Sequence, residues 1–129
     1  MIKVLLIEPS EKVRHQLVEA LKKVRMEVVP TMWAEEGLTI LETQKINAVL
    51  VRSSLGGMSA LKFMQEVKQA QSLPASPVIL VYGKLDAKKR IEYWRQGADD
   101  VIEMPFVLPE VLLRLNTRLK NGPVGSDQQ

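Results

Sequence analysis

Five short apolar runs recur along this chain, each trailed by a stretch whose apolar residues repeat at helical spacing, and few architectures other than a layered α/β domain satisfy that alternation. Lys3-Val4-Leu5-Leu6-Ile7 ends in Glu8-Pro9, and Glu27-Val28-Val29 is closed by Pro30. Ala48 to Val51 leads into a loop holding Gly56-Gly57, and Val78 to Tyr82 and Val101-Ile102 complete the set. Runs this short, partly β-branched and with little polar alternation, suit strands covered on both faces. Between them, Ser10 can cap a helix carrying Val13, Leu17, Ala20, Leu21 and Val24 on one face. Ala34 to Thr43 places Leu38 and Leu41 inward, and a helix from Ser59 aligns Leu61, Met64 and Val67. Asp86 caps a fourth helix running to about Gln96, where Gly97 offers a stop, and Leu108 to Lys120 forms a fifth. Strands alternating with helices of this length predict a parallel sheet with helices on both faces.

At 129 residues with 46% hydrophobic content, the chain suits one core and one domain over residues 1–120. The remainder, 121–129, has turn formers and no periodicity and reads as a linker or disordered tail. No apolar run approaches the roughly 20 residues of a bilayer span. Met1-Ile2-Lys3 leads straight into a strand without a secretory leader, so a cytoplasmic protein without membrane contact is expected. The absence of cysteine excludes disulfides and thiolate chemistry. The net charge of +3 is spread among 15 acidic residues, and Lys88-Lys89-Arg90 is followed at once by Glu92, so no nucleic-acid stripe is visible. Gly56-Gly57 is not a phosphate loop of the Gly-x-x-x-x-Gly-Lys kind, and no Gly-x-Gly-x-x-Gly opens a helix. The single histidine, His15, lies off the apolar stripe of its helix and reads as solvated. Neither an enzyme, nor a cofactor, nor a bound metal is expected.

Four segments, Lys3 to Ser10, Leu55 to Leu61, Pro77 to Val81 and Gly97-Ala-Asp-Asp-Val-Ile-Glu-Met-Pro-Phe106, together resemble the receiver domain of response regulators over roughly residues 1 to 120. The resemblance implies a flavodoxin-like (CheY-like) doubly wound five-stranded parallel sheet of order 2-1-3-4-5 with five helices and a site at the carboxyl ends of the strands. It also implies a set of acidic, hydroxyl and lysine side chains for phosphorylation, and this sequence departs from that set at every position. Glu8 keeps the first Mg²⁺-binding acid in lengthened form, but the second position is Pro9. Arg52 stands where the phosphoacceptor aspartate belongs, Tyr82 where strand four ends in Ser or Thr, and Met104 where a lysine precedes Pro105. Ser53 and Ser54 beside Arg52 have no base to activate them. The changes are electrostatically consistent, because a guanidinium can replace a divalent cation as the partner of Glu8. A second position for Arg52, with its head in solvent, stays open. Tyr82 either fills space or lends its hydroxyl to a ligand.

With the phosphorylation site silent, function is expected on the face formed by helix four, strand five and helix five. There the chain is similar to winged-helix regulators of the OmpR/PhoB type, which the resemblance implies dimerise through cross-subunit ion pairs. Arg90 and Glu110 match one such pair, Asp100 and Arg114 another, while Val101 stands at the aromatic switch position. Tyr93 is either an exposed contact of that face or part of a repacked helix, and Trp94 beside it is expected in the core. Trp33, opening helix two, is open between core and surface. The partners this implies are a second copy or a signalling protein, with DNA reached only through an effector domain outside this chain. The alternative is a monomeric docking domain, or one that binds a small ligand in the altered crevice.

Overall fold

The computed structural model describes residues 1–121. Five strands, β1 (Lys3–Ile7), β2 (Glu27–Thr31), β3 (Ala48–Arg52), β4 (Val78–Gly83) and β5 (Asp100–Glu103), form one sheet of order β2-β1-β3-β4-β5 in which every pairing is parallel. Five helices connect and follow them: α1 (Glu11–Lys23), α2 (Ala34–Thr43), α3 (Ala60–Gln69), α4 (Ala87–Arg95) and α5 (Leu108–Asn121). This is the expected doubly wound topology, with strand order reversing between β1 and β3, where such sheets open a crevice at their carboxyl ends.

Strand periodicity of two decides which helix covers which face. Leu5, Ile7, Val49, Val51, Ile79 and Val81 point to one side and pack with Leu41 of α2, Phe63 and Met64 of α3 and Tyr93 of α4. Val4, Leu6, Leu50, Leu80, Tyr82 and Ile102 point to the other and pack with Leu17 and Leu21 of α1 and Val111 and Leu115 of α5. Covering both faces is what makes the central strands uninterruptedly apolar.

Boundaries differ from the sequence expectation where tertiary context intervenes. β2 runs through Pro30 to Thr31 because it is an outer strand paired only with β1, so the missing N–H of proline costs the sheet little. α1 stops at Lys23, leaving Val24 as a half-exposed cap. Arg25 adopts φ 64°, and the Arg25 N–H reaches the Lys22 carbonyl while the Met26 N–H reaches that of Leu21, the paired closure of a Schellman stop. Ser10, Ser59 and Asp86 each cap a helix with a side-chain oxygen. Among the described residues no helix is long and apolar enough to cross a membrane. The linker reading of the tail falls, beyond Asn121, outside the described residues.

Candidate functional site: a carboxylate held by an arginine and a tyrosine

The crevice is built from the ends of three adjacent strands. Glu8 follows β1, Arg52 ends β3, and Tyr82 lies opposite Arg52 in the β3–β4 register. Glu8 is completely buried. Its Oε1 accepts from the Tyr82 hydroxyl at 2.8 Å and from Arg52 Nη1 at 3.0 Å, and its Oε2 accepts from the Ser10 N–H at 2.8 Å and from Arg52 Nη1 at 3.2 Å. The charge is thus taken out of water only because donors meet both oxygens. Of the two positions open to Arg52, the structure has the paired one, with the side chain still 23% exposed. Tyr82 both fills space, edge-on to Phe106, and binds the carboxylate, so the two roles considered for it were not exclusive. Burial first, then the Glu8 carboxylate, push the Tyr82 phenol well above its ordinary pKa, with Arg52 pulling the other way.

Pro9 offers this site no side-chain atom; its carbonyl and that of Glu8 accept from Arg14 Nη1, which ties the strand end to α1. Met104 packs against the apolar layer beneath α1 and α5 to which Tyr82 also belongs, next to a cis peptide bond with Pro105. This donor set does not fit Mg²⁺: both Glu8 oxygens are occupied, an arginine sits beside them, and Pro9 supplies no ligand. Among the described residues no group of three His, Cys, Asp or Glu side chains comes together. His15 is exposed, and Trp33 is half-exposed with its ring over Gly56.

On the α4, β5 and α5 side the charges meet within one chain. Arg90 pairs with Glu103 at 3.2 Å and not with Glu110, which joins Arg114 at 3.2 Å. Arg114 also reaches Asp100 at 2.9 Å, and Arg118 approaches the second oxygen of Asp100 at 3.6 Å while its guanidinium lies over the Trp94 ring. Glu103 and Arg118 both enter these contacts, and although Glu103 lies within the Gly97–Phe106 stretch, nothing in the sequence marks either as a charge partner on this face.

Two expectations about α4 are corrected. Tyr93, a candidate for the exposed face, is buried, with its hydroxyl donating to the Ser53 carbonyl at 3.5 Å; Trp94, expected in the core, is 42% exposed. Neighbouring helix positions differ by about 100° around the axis, and of these two α4 buries only Tyr93. The tyrosine takes that place because its hydroxyl finds an acceptor at the end of the ring, and burial together with the Glu92 carboxylate raises its pKa. Val101 and Asp100 are likewise buried, so neither presents its side chain as an open contact surface.

Residues 4–116 match the model of the family described as the response regulator receiver domain. The chain is 26% identical over 120 residues to the KDP operon transcriptional regulatory protein KdpE of Escherichia coli, covering 93% of this chain and 52% of that protein. It is 23% identical over 125 residues to the phosphate regulon transcriptional regulatory protein PhoB of Pseudomonas aeruginosa, covering 96% and 55%. The chain therefore spans about half the length of the curated relatives it matches. Among solved structures, a putative response regulator from Chloroflexus aurantiacus superposes with a TM-score of 0.85 at 21% identity, covering 92% of this chain and 98% of that one. HP1043, an orphan response regulator of H. pylori, gives 0.80 at 25% identity, covering 92% and 96%.

Proposed function

Because this chain belongs to the response regulator receiver domain family of two-component signalling, we propose that it is a pseudo-receiver that signals without being phosphorylated. The observation that carries this reading is Arg52 at the end of β3, paired with a buried Glu8 whose oxygens are both occupied. A guanidinium cannot form an acyl phosphate, and it supplies in place the positive charge for which a receiver recruits a metal. The crevice is then a fixed strut.

The domain acts in the cytoplasm through α4, β5 and α5, pairing with a second copy to set the spacing of an attached effector. The relatives named as transcriptional regulators favour a DNA-binding effector. Trp94 and Leu113, 42% and 66% exposed on α4 and α5, supply apolar side chains for such a contact between copies. The ion pairs on this face are already closed within the chain, which favours a second reading: a monomeric domain that docks a signalling partner by the same face.

Sedimentation velocity over a wide concentration range, for the wild type, Arg90→Glu and Leu113→Glu, separates the two, and repetition with beryllofluoride and Mg²⁺ tests the silent site. A dimer lost in the variants and indifferent to beryllofluoride supports the proposal. A wild type that stays monomeric moves the function to partner docking, and a beryllofluoride response refutes the silent site.

A further inference from the structure

From Lys84 to Arg95 the chain carries five basic side chains against two acidic ones, an excess equal to the formal +3 of the whole protein. Charges elsewhere cancel; here they do not. Arg90 is neutralised by Glu103 and Lys89 by Glu92, and the Asp86 carboxylate is turned to the Lys89 N–H as a helix cap. Lys84, Lys88 and Arg95 are exposed, and among the described residues none of them enters an ion pair.

These charges have a defined place. α4 buries a single side chain, Tyr93, and at about 100° per residue Lys88, Ile91 and Arg95 fall on the pole opposite it. They line one shallow cleft with Glu92 and Gln96, while Arg90 and Trp94 turn aside to Glu103 and Arg118. Ile91 lies in that cleft, 51% exposed, one turn from each cation. One exposed isoleucine alone would mean nothing; an aliphatic side chain bracketed by unneutralised cations is complementary to a particular surface.

Charge selects the occupant. A second copy docking here about a two-fold axis would set Lys88 and Arg95 against their own images, which is repulsive. A nucleic-acid strand would gain only these few free cations, with no exposed aromatic on this pole to stack a base. A bilayer would receive a single aliphatic side chain, too little apolar area to anchor a helix. We propose that the outward pole of α4, formed by Lys88, Ile91 and Arg95, docks an acidic segment of another protein that presents an aliphatic side chain to Ile91. The pole shares no residue with the ion pairs of the α4, β5 and α5 face, so this contact and self-association fail separately.

The probe is a fluorescein-labelled synthetic amphipathic helix with glutamates flanking a leucine stripe, titrated with the protein by fluorescence anisotropy at low and high salt. Binding on the order of micromolar Kd is expected, weakening with salt, about tenfold weaker for Lys88→Glu/Arg95→Glu and a few-fold weaker for Ile91→Ser. All three positions are exposed, so circular dichroism and sedimentation of the variants should match the wild type. No binding, equal binding of a peptide with serine in place of leucine, or tighter binding of duplex DNA or phosphatidylglycerol vesicles than of the peptide would each overturn the proposal, as would altered sedimentation of the charge-reversal variant.

Discussion

Glu8→Ala probes the crevice most directly, because the residue is wholly buried and holds three donors at once. The Tyr82 hydroxyl, 1% exposed as a residue, loses its acceptor and has little access to water, which costs about 1–3 kcal/mol. Arg52 loses its partner as well. A sealed pair broken on one side costs roughly 3–5 kcal/mol, but Arg52 is 23% exposed and can turn outward, so its share falls to about 1 kcal/mol or less. The half-buried Ser10 N–H regains water at small cost, and removing the carboxylate relieves its own desolvation. The net expectation is a loss of about 2 kcal/mol, which in a domain of this size lowers Tm by roughly 6–12 °C. Urea unfolding followed by circular dichroism gives the value if the slope m is unchanged. The companion variants are Arg52→Met and the double variant Glu8→Ala/Arg52→Met. If the pair is the strut, the double variant is more stable than the sum of the singles predicts by at least about 1 kcal/mol. A Glu8→Ala protein within about 0.5 kcal/mol of wild type, or strict additivity, refutes the reasoning.

Tyr82→Phe removes a hydrogen bond to a carboxylate worth about 1.5–3 kcal/mol at neutral pH. The folded phenol titrates above its unfolded value of 10.0, so its stabilisation is complete below that value and drains away as pH rises from there through the folded pKa. The stability gap between wild type and variant should therefore stay constant below about pH 9 and narrow above about pH 10 in urea midpoints; a gap that widens contradicts the buried hydrogen bond. At the α1 stop, Arg25→Gly relieves a left-handed backbone at φ 64° and should raise stability by roughly 0.5–1 kcal/mol, against which a lowered urea midpoint would count.

The sequence by itself determined the strand and helix order, most boundaries to within a residue or two, and Glu8, Arg52 and Tyr82 as residues at the strand ends. These are legible because they rest on local information: side-chain period two or about 3.6, cap residues such as Ser10, Ser59 and Asp86, and stops such as Gly97, which takes φ 99°. What only the tertiary structure decided is which partners those residues choose. Glu8 meets Arg52 from 44 residues away and Tyr82 from 74, and whether Arg52 pairs or hydrates turns on burial that no local pattern encodes. Likewise Arg90 meets Glu103 within the chain, and Tyr93 rather than Trp94 lies in the interior with the Ser53 carbonyl as its acceptor, because a few ångströms of register decide between chemically similar groups. Periodicity is a property of the chain, whereas hydrogen bonds and ion pairs weaken steeply with distance and angle, so their pairing exists only once the sheet has brought the ends of β1, β3 and β4 together.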